Sequence, residues 1–257
     1  MRKLGKTLPP SSNQMFRAKT ENLRGILDPD QLILRVFISL QYKYIYVSVP
    51  KAACSTTKNY LASCELGSQV TYLNFEDVHD RILSPLLSPT QIMHLFPEIL
   101  SDKSFYKFTF VRNPYHRILS AYKDKIINHK SYRYQVIKHI QNDPLTDRPI
   151  SFEEFVRTIY NCADHEMNTH WMPQHHLIMD HAIQYDHIGK VETYQNDILE
   201  ISKSIGLKFK FLHQETRNES NSERYLKECY TDDLCRMVKI KYREDFLRLS
   251  YSKVPTW

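Results

Sequence analysis

Two segments commit this chain to a sheet, and each runs straight into a helix. Tyr42–Val49 (YKYIYVSV) and Phe105–Val111 (FYKFTFV) are dense in β-branched and aromatic residues, the signature of buried strands. Pro50 stops the first, and the residues from Ser55, a suitable N-cap, to Cys64 read as a helix. Pro114 opens a helix after the second, running to about Asn128 with Ile118, Leu119, Tyr122 and Ile126 on one face. Gln69–Phe75 and Tyr185–Val191 read as further strands. Ser88–Leu100, Ser151–Ile159, Gln195–Ile205 and the periodic stretch Asn221–Leu249 read as helices, with a capping box at Ser151 and Glu154 and a stop at Gly206. Strands alternating with helices predict an α/β fold whose central sheet is mostly parallel and flanked by helices. Residues 1–25 are polar and aperiodic, a flexible N-terminal arm. No linker interrupts the remainder, so 26–257 is expected to form a single domain.

Charge and composition narrow the partners. A net charge of +6 suits an anionic ligand but is too mild to point to nucleic acid. The most apolar early stretch, Leu32–Pro50, is interrupted by Arg35, Gln41 and Lys43, so no integral membrane span is expected. The basic N-terminus is followed by no apolar signal core, which suggests a cytoplasmic protein. Five cysteines without a CxxC pair argue against a disulfide framework or a structural zinc site; Cys229 and Cys235 are close enough in sequence to pair, but free core thiols are expected.

The chemistry concentrates where strands become helices. Pro50-Lys51-Ala52-Ala53-Cys54-Ser55-Thr56-Thr57-Lys58 joins the first strand to its helix. Such a corner aims backbone N–H groups, and the positive end of the helix dipole, at whatever lies above it. Two lysines and three hydroxyls surround that point, and Ala52 and Ala53 let an anion approach the backbone, so the segment has the design of a phosphate cradle. It lacks the glycines of G-x-x-x-x-G-K-[ST], which demotes a nucleotide triphosphatase. The second corner, Phe108-Thr109-Phe110-Val111-Arg112-Asn113-Pro114-Tyr115-His116-Arg117-Ile118-Leu119-Ser120-Ala121-Tyr122, repeats the logic. Arg112 stands at the strand's C-terminal edge, where ligands of open α/β sheets bind, with a guanidinium fork matched to phosphate oxygens. Arg117 is either a third cation or a surface pair.

Together, strand–PKAACSTTK–helix and strand–VRNPYHRILSAY–helix resemble the PAPS-dependent sulfotransferases (PAPS is 3′-phosphoadenosine 5′-phosphosulfate), in particular the carbohydrate sulfotransferases. The likeness extends over about residues 42–251, through His170-Trp171-Met172-Pro173-Gln174 (HWxPQ), Tyr185-Asp186-His187-Ile188-Gly189-Lys190-Val191-Glu192 (YDxIGKxE) and Tyr242-Arg243-Glu244-Asp245-Phe246 (YxxDF). The resemblance implies a P-loop-like three-layer sandwich, PAPS as donor, PAP as product, a carbohydrate acceptor and no metal. It implies that Lys51, Ala52, Ala53, Cys54, Ser55, Thr56, Thr57 and Lys58 hold the 5′-phosphosulfate and that Arg112 and Ser120 hold the 3′-phosphate. Asn113 stands where an acidic residue is common. The absence of the membrane anchor of Golgi-resident relatives suggests a bacterial protein, with the Golgi lumen as the setting only for a truncated chain.

Catalysis then needs a cation at the leaving oxygen and a base for the acceptor hydroxyl. Lys51 is the candidate for the first. For the second, His79 comes first, since related enzymes place a catalytic His in this interval. His170 is the runner-up, and Glu76 and Asp77 follow. The six histidines between 165 and 187 do not make HExxH, because His170 falls five positions after His165. A kinase on the same scaffold and a non-catalytic module for anionic glycans are the alternatives.

Overall fold

In the computed structural model, residues 34–70, 77–140, 148–208 and 225–255 are described. Among the described residues four strands form one sheet in the order β1-β2-β3-β4: β1 (Val36–Ser39), β2 (Tyr44–Val47), β3 (Tyr106–Val111) and β4 (His187–Lys190). The β1–β2 pair is antiparallel, and β2, β3 and β4 run parallel, as the alternation of elements predicts. The first of these strands is an addition: residues 36–39, inside the apolar stretch Leu32–Pro50, pair with β2.

Side-chain alternation sorts the sheet into two faces. Phe37, Tyr44, Tyr46, Phe108 and Phe110 meet Tyr60, Leu61 and Cys64 of α1 (Cys54–Leu66) and Ile198 and Ile201 of α7 (Tyr194–Ile205). Val36, Ile38, Ile45, Val47 and Val111 face the larger core. There they meet α3 (Pro114–Ala121), α5 (Phe152–Asn161), α6 (Gln174–Ile178), α8 (Asp232–Lys241) and α9 (Arg243–Arg248). Burial on both faces makes three layers and explains why the strands carry so few polar residues. Gly189 of β4 is required by close approach: a Cβ there would lie 2.5 Å from Cε1 of Phe110.

Several sequence boundaries move. The Ser88 helix is displaced to a shorter α2 (Phe96–Ser101), started by Pro97. Ser88 instead closes a polar turn, with its N–H donating to Gln91 Oε1 at 2.7 Å and its hydroxyl 2.9 Å from that of Thr90. The helix after Pro114 is α-helical only to Ala121 and continues as a π-helical turn, Tyr122–Ile126. It is followed by α4 (Lys130–Ile137), which the sequence reading did not anticipate. The C-terminal periodic stretch is broken between α8 and α9 at Tyr242. The capping box on α5 and the left-handed Gly206 ending α7 are where the sequence places them. The arm at 1–25 and Glu76 lie outside the described residues, as does most of the strand read at Gln69–Phe75. All five cysteines are free, including Cys229 and Cys235. Among the described residues no helix is long and apolar enough to cross a membrane.

Candidate active site

Register brings the two corners together. Val47 pairs with Thr109, so Pro50 and Arg112 leave the sheet abreast, each three residues further on. Arg112 Nη1 lies 3.4 Å from the carbonyl oxygen of Lys51. The two cation-bearing corners therefore share one edge, beyond the C-terminal ends of adjacent parallel strands.

The first corner has no glycine, yet it takes glycine-like backbone at two positions: φ is 67° at Lys51 and 56° at Ala53. Left-handed backbone costs an L-residue about 1–2 kcal/mol, so the chain holds this turn against its local preference. Strain of this kind collects at ligand sites. Ala53 is the N-cap of α1 and makes no side-chain cap, which leaves the first N–H groups of the helix to the space above the corner.

The side chains divide into those that face this space and those that build it. Lys51 Nζ lies 3.1 Å from Asp124 Oδ2, and Lys125 approaches the same oxygen at 3.2 Å. Burial lowers the Lys51 pKa, with Asp124 opposing. Burial would raise the Asp124 carboxyl, but Lys51 and Lys125 hold it below its ordinary value. Lys58, buried, places Nζ 3.0 Å from His79 Nδ1, and Ser55 Oγ is 3.1 Å from His79 Nε2. Burial brings Lys58 down to about 8, with Arg81 and Arg35 adding to the fall. Ala52 is wholly buried, and Cys54 and Thr56 are half-buried in the same turn. Thr57 departs from its implied role: its hydroxyl donates to the Ala53 carbonyl at 3.0 Å and meets Tyr194 OH at 3.1 Å, so it shapes the corner from the core side.

The second corner is held from behind by the downstream motifs. The Arg112 backbone is clasped by the Gln174 amide, its N–H donating to Oε1 at 2.9 Å and its carbonyl accepting from Nε2 at 2.8 Å. Buried Asp245 accepts from the backbone N–H groups of Gln174 (2.7 Å) and His175 (2.9 Å), fixing the start of α6. Glu192 accepts from Asn113 N–H at 2.8 Å and from Tyr251 OH at 3.0 Å, and its charge opposes the lowering of the Arg112 pKa by burial. Asn113 caps α3 by accepting from Tyr115 N–H, a task an acidic residue would also perform. Ser120 sits half-buried two turns into α3.

Arg117 is neither a third ligand cation nor a surface pair. It is fully buried and donates to three carbonyls: Pro50 (3.0 Å), Met172 (2.8 Å) and Thr169 (2.9 Å). It thereby ties the first corner to the segment carrying His170 and Trp171. Trp171 is itself core packing, edge-on to Phe155 at 5.5 Å.

Both candidate histidines lie in this region. Loss of hydration, then Lys58, Lys125 and Lys51, push His79 down to about 4. Burial, then Lys125 and Lys51, push His170 down to about 3. Each is therefore neutral near pH 7. His79 has both ring nitrogens engaged by cradle residues, whereas His170 bonds through Nδ1 to Asn168 Oδ1 at 2.7 Å. Three other histidines of 165–187 are structural: His176 pairs with Asp164 at 3.0 Å, His187 with Asp197 at 3.2 Å and His175 with Asp245 at 2.8 Å. Asp124, between two lysines, and Asn168, two residues before His170, carry no local sequence signal.

Two parallel strands whose ends carry facing cationic corners define an α/β protein with positive charge gathered at one sheet edge. The chain belongs to the sulfotransferase family, whose model matches residues 34–252. It is 30% identical over 186 residues to carbohydrate sulfotransferase 14 of Danio rerio, covering 68% of this chain and 49% of that one. It is 30% identical to carbohydrate sulfotransferase 14 of Homo sapiens, covering 65% and 45%, and 27% identical to carbohydrate sulfotransferase 11 of Mus musculus, covering 91% and 71%. The chain spans about half the length of the first of these relatives. No solved structure matches it. The relatives correct one expectation: they are carbohydrate sulfotransferases of a fish, a human and a mouse, which contradicts a cytoplasmic, bacterial assignment.

Proposed function

We propose that this protein transfers a sulfuryl group from PAPS to a hydroxyl of a carbohydrate acceptor. The observation that carries the reading is the 3.4 Å approach of the Arg112 guanidinium to the Lys51 carbonyl, which brings both corners to one edge, as a single ligand with two anionic ends would require. The left-handed turns, the uncapped helix start and the cations Lys51, Lys58 and Arg112 fit such a donor.

The S–O bond to the leaving phosphate breaks as a new S–O bond forms to the acceptor oxygen, with charge building on the departing oxygen. Lys51 donates to that oxygen. Ser55, Thr56, Lys58 and the first N–H groups of α1 hold the 5′ end, and Arg112 and Ser120 hold the 3′-phosphate. The acceptor proton passes to a neutral imidazole. His170 is the better base of the two, because its Nδ1 bond leaves Nε2 with the lone pair, while His79 is occupied as a wall of the cradle.

Incubation with ³⁵S-labelled PAPS and a panel of glycans tests the reading. Label should pass to at least one glycan, Lys51→Ala should lower kcat by about 10²- to 10³-fold, and PAP should raise the Tm where ATP does not. A Tm shift with ATP alone would select the kinase reading. Glycan binding without transfer would select the non-catalytic one.

A further inference from the structure

The loop residue Asn168 is held by three contacts that leave its amide one orientation. Its Oδ1 accepts from the backbone N–H of His170 at 2.9 Å, which can only donate, so that atom is an acceptor. The His170 Nδ1, 2.7 Å from the same oxygen, must then be the protonated nitrogen. At its other end Asn168 donates through Nδ2 to Gln135 Oε1 at 2.7 Å. Gln135 lies on α4, and Tyr132, one turn earlier on that helix, sets its ring edge-on to His170 with centroids 5.2 Å apart. The same helix therefore restrains the imidazole from two sides.

We infer that α4 is a positioning element for the base, and that Gln135 and Asn168 hold His170 in the Nδ1–H tautomer with Nε2 ready to accept the acceptor's proton. This rests on reading His170 as the base. The alternative tautomer would present an N–H to the acceptor hydroxyl, and an N–H cannot take a proton. The groups that set the imidazole's charge come from several elements: Lys51 from the first corner, Lys125 from the π-helical turn, Arg117 from α3 and Arg35 ahead of β1, with Tyr132 from α4 packed on the ring. All four charges are cationic, so the ring stays neutral while the relay fixes which nitrogen is free.

The full chain labelled with ¹⁵N-histidine, together with Asn168→Leu and Asn168→Asp, tests the relay. NMR should show His170 protonated on Nδ1. Asn168→Leu should mix the tautomers and lower kcat at least about 10-fold, within the 10²–10⁴ a base supplies, while donor and acceptor KM stay within about twofold. Asn168→Asp, which keeps an acceptor on Nδ1, should retain the tautomer. It should also raise the imidazole pKa by about 1–3 units, moving the acid limb of kcat/KM to higher pH. A proton on Nε2 in the parent, or an unmoved acid limb in Asn168→Asp, overturns the relay. Full transfer by His170→Ala would instead remove the base assignment itself, whatever the tautomer.

Discussion

Replacing Arg117 with Met is the sharpest test of how this site is assembled. The guanidinium is 1% exposed and supplies three hydrogen bonds, to the carbonyls of Pro50, Thr169 and Met172. Bonds from a charged donor contribute about 1.5–3 kcal/mol each, so the gross loss is roughly 5–9 kcal/mol. Met no longer buries a charge, which returns several kcal/mol, and it fills much of the same volume. The net expectation is about 2–4 kcal/mol of lost stability, or a Tm lower by roughly 5–15 °C for a chain of this size. Calorimetry or thermal circular dichroism with bound PAP and without it reads this directly. The argument also predicts a functional excess. The freed carbonyls belong to the Lys51 corner and the His170 segment, so activity of the folded fraction should fall more than folding does. Arg117→Lys, able to reach fewer of the carbonyls, should lie between. A Tm within about 2 °C of the parent would refute the claim that this buried cation braces the two halves of the site.

Other perturbations follow from single contacts. Gly189→Ala drives a Cβ to 2.5 Å from the Phe110 ring and should cost about 1–3 kcal/mol, seen as a lower denaturant midpoint at unchanged m-value; an unchanged midpoint would contradict the packing. Asp124→Asn removes the carboxylate that opposes the lowering of the Lys51 pKa by burial, so the alkaline limb of kcat should move to lower pH, and a limb that stays or rises would count against the pair. His170 is held at about 3 in the folded protein, below its ordinary value. Its neutral form thus contributes stability that is complete above about pH 6.5 and lost as pH falls toward 3, with a slope of at most about 1.4 kcal/mol per pH unit. His170→Gln should flatten the Tm-versus-pH curve between pH 6 and 4, and an unaltered slope would argue that the ring is freely protonated.

What the sequence made legible was local. A strand, a proline and a cluster of small, hydroxyl and basic residues lie within a dozen positions of one another, so the corners at Lys51 and Arg112 and the caps at Ser151 and Gly206 are written in short spacings. The antiparallel β1 escaped because its four residues are embedded in the longer apolar stretch Leu32–Pro50, with no turn signal setting them apart. Helix α4 escaped because its sequence, KSYRYQVI, carries a weak apolar stripe. Thr57 and Arg117 were misplaced for a related reason: a hydroxyl or a guanidinium near a phosphate loop reads as a ligand, and only the three-dimensional path shows it turned inward.

The partners that orient the candidate base and the leaving-group lysine are equally remote in sequence. Asn168 meets Gln135 across 33 positions, and Lys51 meets Asp124 across 73. This distribution has a physical logic. Groups that would touch the donor sit on strand ends, where backbone geometry alone brings them to one edge. The groups that aim them are buried polar side chains, Gln174 and Asp245 behind Arg112 and Arg117 between the corner and the His170 segment. Buried polar groups are tolerated only when their partners are in place. Each such residue therefore locks an orientation, and a loss of partner there should misalign the chemistry before it unfolds the chain.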